Sequence, residues 1–264
     1  MSKLRIGTAG YSYNDWRGKF YPSHLASRDF LSHYANFFNC VEINATYYKI
    51  PSPKVFSSIS LKVPNSFKFT VKVPNTFTHY RDKFAQTLEQ FRMATSPLVK
   101  KGMLACYLAQ FPFSFKNTEE NIEYVSTMAN NLDRPVAVEF RRRDWQTEDV
   151  YTFLRAQGIC YVNVDAPKIR GLPIPSTIAT SSIGYCRFHG RNAAKWWNHI
   201  EAYERYDYSY TPEELQEWAP RIEKISGMTE STYVMFNNHY QGQAIDAAEE
   251  MKRLMNLAIG QSTL

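Results

Sequence analysis

The sequence predicts an α/β chain folded as a (β/α)₈ barrel of the TIM type, a single domain spanning residues 1–264. Three observations carry that expectation. Eight short segments rich in Val, Ile, Phe or Tyr recur at intervals of roughly 25–45 residues, the span of a strand and its return connection. Most gaps between them hold apolar residues at helical spacing, and strand–helix alternation argues for a parallel sheet. A chain of 264 residues, 44% of them hydrophobic, is large enough for one such barrel and its core.

The strands are expected, in order, in LRIGTAG (4–10), CVEINATYY (40–48), KFTVKVP (68–74), GMLACYLAQF (102–111), PVAVEF (135–140), ICYVNVD (159–165), IGYCRFH (183–189) and TYVMFNN (232–238). Helices are expected between them. In 24–38, Leu31, Tyr34, Ala35 and Phe38 repeat at i, i+3, i+4 and i+7; Phe84, Leu88 and Phe91 do so within 80–95. Ile122, Val125, Met128 and Ala129 mark a further apolar stripe. Thr147 followed by Glu148 and Asp149 reads as a helix start, because acids favour the positive end of a helix. Thr211-Pro212-Glu213-Glu214 reads as an N-cap with proline at the first helical position. Gln243 to Leu257 makes the last helix. Two connections break the pattern. The sixth holds Pro167, Pro173 and Pro175 between Asp165 and Ile183, which predicts an irregular segment. The seventh is long, about residues 191–231, with two helical pieces around the tyrosine-rich stretch YERYDYSY.

Composition narrows the class. The net charge of +6 is a mild excess that permits an anionic ligand or nucleic acid without requiring either. The four cysteines, Cys40, Cys106, Cys160 and Cys186, sit in or beside apolar strands without C-x-x-C spacing, as buried hydrophobes do. Reduced thiols suit a cytoplasmic location. No apolar leader precedes the first strand and no run of about 18 apolar residues appears, so neither a signal peptide nor a membrane span is expected.

Strand parity then separates two faces. Val41, Ile43 and Ala45 oppose Glu42, Asn44 and Thr46. Phe69, Val71 and Val73 oppose Thr70 and Lys72. Val136, Val138 and Phe140 oppose Glu139 and Arg141. Val162 and Val164 oppose Asn163 and Asp165. Cys186 and Phe188 oppose Arg187 and His189, and Val234 and Phe236 oppose Asn237 and His239. In a barrel the apolar face packs on the helices, so every polar face is expected to look inward. Such charges, buried unpaired, would cost several kcal/mol each. They must pair or face a wet cavity at the C-terminal strand ends, where such barrels do their chemistry.

Several chemistries fit that mouth. Glu139, Asp165 and His189 end three successive strands and form an acid–base set, a carboxylate beside a His being able to tune a general base. HGRN (189–192) and NNHYQGQA (237–244) occupy the loops after strands seven and eight, where these barrels often bind phosphate; Arg191 is the expected clamp. Glu42, Asn44, Lys72, Gln110, Arg141, Arg187, Asn237, Asn238 and His239 complete the expected ligand-binding set. No metal site is predicted: HExxH and clustered His are absent from the sequence. No cofactor is assigned. A retaining glycosidase is disfavoured, because LAQFPFSF and HGRN carry no acid where strands four and seven end. Trp16, Trp145, Trp196, Trp197 and the YERYDYSY tyrosines could stack bases or sugars, or simply pack long loops.

Seven stretches together resemble the YecE-like family, known as domain of unknown function 72: IGTAGYSYNDWRGKFYP (6–22), VEINATYYKIPS (41–52), KFTVKVP (68–74), LAQFPFSF (108–115), VAVEFRRRDW (136–145), CRFHGRN (186–192) and MFNNHYQGQA (235–244). The resemblance runs the length of the chain in the same order. It implies a (β/α)₈-type barrel and assigns no activity. It also implies that Glu42, Asn44, Gln110, Glu139, His189, Gly190, Arg191, Asn237 and Asn238 are recurring positions. Family members commonly have Trp where this chain has Tyr11.

Three functional readings follow. The first is an enzyme that binds an anionic small molecule, phosphorylated compounds included, at the mouth and moves a proton there. The second is a nucleic-acid binder or repair-nuclease-like barrel, with affinity falling steeply in salt. The third is a non-catalytic scaffold whose inner charges are structural. The sequence leaves the oligomeric state open.

Overall fold

A computed structural model describes residues 3–81 and 83–256. Its eight strands are β1 (Lys3–Thr8), β2 (Cys40–Ile43), β3 (Lys68–Lys72), β4 (Leu104–Phe111), β5 (Val136–Phe140), β6 (Cys160–Asp165), β7 (Ile183–Phe188) and β8 (Ser231–Phe236). All pair in parallel, in the order β1-β8-β7-β6-β5-β4-β3-β2. The ring is nearly closed. β1 and β2 meet through one bridge, Ala9 to Glu42, with Gly10 N donating to Glu42 O at 2.8 Å.

A side chain fills the rest of that seam. Thr8 N donates to the Tyr34 hydroxyl at 2.9 Å, and the hydroxyl donates to Cys40 O at 3.1 Å. Gly7 makes this possible, since a Cβ there would lie 2.4 Å from Cys40 O and 3.0 Å from the Tyr34 oxygen.

Helices cover most of the ring: α1 (Phe30–Tyr34), α2 (Pro53–Ser60), α3 (Asn75–Thr78), α4 (Phe84–Lys100), α5 (Glu119–Asn130), α6 (Glu148–Ala156), α7 (Pro212–Gln216), α8 (Ala219–Gly227) and α9 (Gln243–Leu254). Thr147 caps α6 by accepting from Val150 N and Thr211 caps α7 by accepting from Glu214 N, as the sequence predicts; Glu214 also accepts from Thr211 N, which completes a capping box. Other boundaries differ. The helix expected over 24–38 is only α1 and a preceding 3₁₀ turn, because the Asn36 and Phe37 N–H groups bond three residues back, to His33 O and Tyr34 O. α2 was not anticipated, although Ser52-Pro53 is a helix start. α4 runs past 95 and through Pro97 to Lys100. Both α7 and α8 follow the tyrosine-rich stretch instead of flanking it, and α9 ends at Leu254; Leu257 lies outside the described residues. The sixth connection contains no helix, in keeping with its prolines.

The core has two layers. Val41, Phe69, Val71, Val138, Phe140, Cys186, Phe188, Val234 and Phe236 pack outward beneath the helices. Cys40, Cys106, Leu108, Ala137, Cys160, Val162, Val164, Tyr185, Tyr233 and Met235 fill the barrel interior. The four cysteines are free and buried, and burial raises all four thiol pKa values.

Candidate functional site

The upper interior is charged, and strand parity puts the charges there. With Val41, Val71, Val138, Cys186 and Val234 packed outward, their neighbours along each strand point inward. Arg187 lies at the centre, 1% exposed. Its Nε donates to Glu42 Oε2 at 3.0 Å and its Nη2 to Glu42 Oε1 at 2.6 Å. Its Nη1 donates to Glu139 Oε2 at 2.5 Å. Tyr185 donates to Glu42 Oε2 at 2.8 Å, which leaves the Thr70 hydroxyl, also 2.8 Å from Tyr185 Oη, as donor to the phenol.

Glu139 is the second hub. Its Oε1 pairs with Arg141 Nε at 2.5 Å and lies 3.1 Å from His189 Nε2. A carboxylate only accepts, so Nε2 carries the imidazole proton. His189 Nδ1 then accepts from Asn237 Nδ2 at 3.2 Å, with Arg141 Nη2 at 3.5 Å. Burial drives the His189 pKa down to about 3, and Arg141 reinforces the effect against Glu139, so the ring is neutral. Burial alone would raise the Glu139 pKa, but Arg141, Arg187 and His189 outweigh it and hold the carboxyl well below the usual range.

Lys72, at the end of β3, differs from these. Its Nζ donates to Gln110 Oε1 at 2.8 Å and sits 4.2 Å from the centre of the Tyr47 ring. Among the described residues it makes no ion pair. Burial lowers its pKa to about 7, Arg187 adds to the effect, and Glu139 and Glu42 oppose it.

The 3₁₀ turn Ala202–Tyr206 and the segment before it roof the cluster. Trp196 is buried, with Arg141 5.5 Å from its ring centre and Arg205 also at 5.5 Å. Arg205 Nε donates to Trp196 O at 2.9 Å. Burial alone would raise the Tyr206 phenol pKa, but Arg141, Arg205 and Arg187 lower it on balance. Beside this roof is a cavity of ≈ 310 Å³, with His79, Gln110, Phe113, Arg141, Trp197 and Arg205 among its walls. Among the described residues, none that lines it is acidic.

This architecture recurs in known proteins. A family model described as "Protein of unknown function DUF72" matches residues 5–263. The chain belongs to the DUF72 family. The DUF72 protein of known structure from Thermotoga maritima MSB8 is 40% identical, with a TM-score of 0.88 over 96% of this chain and 99% of that one. A DUF72 protein from Enterococcus faecalis V583 is 27% identical, with a TM-score of 0.85 over 99% of both chains. YunF of Bacillus subtilis (strain 168) is 28% identical over 96% of this chain and 95% of its own length.

In this DUF72 barrel, Glu42, Lys72, Glu139, Arg141, Arg187, His189 and Asn237 come together on the inward strand faces, and Gln110, which the family resemblance implied, joins them through Lys72. Asn44 does not join them. It lines a separate apolar cavity of ≈ 340 Å³ between Tyr11, Tyr13, Tyr48 and Val55. Asn238 donates to Tyr208 O at 2.9 Å, and His239 stacks on Tyr13 with ring centres 4.6 Å apart.

Asp165 and Arg191 require correction. β6 is turned the other way from the parity expectation, with Val162 and Val164 in the barrel interior and Asn163 and Asp165 outside it. The reason is the missing helix. The irregular sixth connection presents unpaired backbone groups, and Asn163 satisfies them, donating to Ile178 O and accepting from Ile178 N. Asp165 is buried under Trp218 Nε1 at 2.6 Å, Tyr210 Oη at 2.7 Å and Arg191 Nη2 at 2.8 Å. Arg191 also holds Glu214 and Glu217, so its guanidinium is committed to three carboxylates and not free as an anion clamp. Gly190 does not leave room for a ligand either: a Cβ there would meet Tyr208 Cβ at 2.7 Å.

The parity argument missed His79, Tyr206 and Arg205, because all three stand in loops. Tyr185 was within its reach, two residues before Arg187 on the same face of β7. Among the described residues, no three side chains of His, Cys, Asp or Glu gather as a metal site requires, and no helix is long and apolar enough to cross a membrane.

Proposed function

We propose that this protein is an enzyme that binds an anionic small molecule at the C-terminal mouth and transfers a proton there. The observation that carries this reading is the ≈ 310 Å³ cavity with two guanidiniums, Arg141 and Arg205, and no acid on its walls. Planar guanidiniums match phosphate and carboxylate oxygens in pairs, which makes phosphorylated compounds the first class to test. Glu139 and His189 act as positioning residues: one carboxylate aims Arg141 and Arg187, and the neutral imidazole fixes that carboxylate. Lys72 and Tyr206 are the proton-handling groups, since both are drawn toward neutral pH by the surrounding arginines or by burial. Four buried free thiols fit the cytoplasmic location we assign.

Titration with inorganic phosphate, followed by heteronuclear NMR, tests the reading. Phosphate should shift the Arg141 and Arg205 side-chain signals. Arg141→Met and Arg205→Met should each weaken binding by about 10–100-fold, the loss of one or two charge-assisted hydrogen bonds. Undiminished binding in both variants sinks the proposal.

Exposed rings favour a second reading. Tyr48, Tyr80, Trp197 and Tyr203 stand open to solvent in the connections at this end of the barrel, as stacking platforms for single-stranded nucleic acid do. Binding to single-stranded DNA or RNA should then fall steeply with salt; salt-independent or absent binding excludes it.

A further inference from the structure

We infer that Lys72 is a nucleophilic amine that forms a Schiff base with an anionic carbonyl compound. The inference rests on the anion-binding reading and deepens it by naming the substrate class. Three features of geometry lead to it. First, Lys72 is the lysine that strand parity delivers to the charged interior, at the C-terminal end of β3. Second, its partner there is the neutral Gln110 amide, which accepts one hydrogen at 2.8 Å. Glu42 and Glu139 are already engaged by Arg187 and Arg141, so no carboxylate is left to hold an ammonium in place. Third, the amine is next to the cavity: Gln110 forms part of its wall, and the Tyr47 ring beneath Nζ lies 5.1 Å from His79, which forms another part. A lysine kept for charge alone would be paired; this one is buried against a neutral acceptor, and the carboxylates near it, Glu42 and Glu139, are bound to arginines. That environment favours the free amine, the nucleophilic form, at neutral pH.

The step balances. The Nζ lone pair attacks the carbonyl carbon, the C=O π pair moves to oxygen, and that oxygen takes a proton. The nitrogen gives up one proton, the hydroxyl takes a second and leaves as water while the nitrogen lone pair closes a C=N bond, and the resulting iminium gives up its remaining N–H proton to leave the imine. Amine and carbonyl are consumed; imine and one water are formed. Bulk solvent supplies and recovers these protons. Arg141 and Arg205 hold the anionic group of the same molecule. The substrate class is accordingly a 2-oxo acid or a sugar phosphate with a free carbonyl.

Reductive trapping tests this. The full-length protein is treated at pH 7 with sodium cyanoborohydride and either D-glyceraldehyde 3-phosphate or D-glyceraldehyde, probes that differ only by the phosphate. Adducts are located by peptide mass mapping. An ordinary lysine, pKa about 10.4, is free amine to only about 4 parts in 10,000 at pH 7. Lys72 should therefore be modified at least about tenfold faster than any other lysine, and faster by the phosphorylated probe. Lys72→Arg should lose the adduct; mapping of the wild-type protein assigns the site even if that variant fails to fold. Lys72 modified no faster than other lysines overturns the nucleophile, and the NMR phosphate titration then decides the anion reading separately. Equal rates with the two probes leave the nucleophile standing and overturn the anion reading.

Discussion

Arg187 grips Glu42 with a two-toothed fork, Nε to Oε2 at 3.0 Å and Nη2 to Oε1 at 2.6 Å, in the middle of a barrel that apolar residues normally fill. Both groups are out of water. Their removal from solvent is costly, and the fork offsets that cost only while both partners remain.

Arg187→Met should therefore destabilise the protein by about 3–5 kcal/mol, because Glu42 is left buried without a cation and Glu139 keeps only Arg141. Urea denaturation measures it. A loss under 1 kcal/mol means that water reaches the cluster.

Acid should unfold this protein early, and the sign follows from His189. Its folded pKa is lowered to about 3 from 6.5, so the unfolded chain takes up the proton first. Stability then falls as pH drops from about 6.5, by up to about 1.4 kcal/mol per pH unit. Glu139, also held below its ordinary value, adds a second loss as pH falls below the usual carboxylate range. Urea midpoints measured from pH 8 to pH 4 should slope throughout the lower half. His189→Gln should flatten the part nearest pH 6.

Lys72 should behave in the opposite sense to a stabilising charge. Its folded pKa is lowered from 10.5 to about 7, so the unfolded chain binds more protons between those values and stability rises with pH across that window. Lys72→Met should raise Tm at pH 7, by about 2–4 °C for each kcal/mol recovered, and abolish the alkaline rise. A lowered Tm at pH 7 counts against the electrostatic account.

The charges also speak to each other. Glu139 raises the Lys72 pKa and Arg187 lowers it. In NMR titrations of the lysine ¹³Cε signals, Glu139→Gln should move the Lys72 midpoint below the wild-type value. A midpoint that does not move would show that the two sites are screened from one another.

Asp165 offers a test of which way a strand faces. With Trp218, Tyr210 and Arg191 all donating to it from outside the barrel, Asp165→Ala should strand buried donors and cost about 3–5 kcal/mol. Phosphate affinity at the mouth should stay within about twofold of wild type, well inside one hydrogen bond's worth. A collapse of phosphate binding in folded Asp165→Ala contradicts the placement.

Much of this was legible in the residues themselves. Alternation along β2, β3, β5, β7 and β8 pointed Glu42, Lys72, Glu139, Arg187 and His189 into one space, because an apolar helix layer leaves the polar face only the interior. The same rule failed at β6 for a definite reason. Its outer neighbour is a proline-rich loop, so the polar face had hydrogen bonds to make outside, and Val162 and Val164 filled the barrel. Arg191 misled in the same way: an arginine in a glycine-bearing loop suits phosphate, but Glu214 and Glu217, more than twenty residues on, already occupy it. Arg205 and His79 had no periodicity to expose them, since loop position comes from tertiary packing.

The seam between β1 and β2 bears on how the chain is made. β1 pairs with β8 residue for residue from Lys3–Ser231 to Thr8–Phe236, yet touches β2, its neighbour in sequence, by a single bridge and the Tyr34 hydroxyl. Of the eight barrel strands, the first to be synthesised must wait for the last. Until then Leu4 and Ile6 have no ladder to join. Among the eight strands, β1 is made before the others and secured by the last of them.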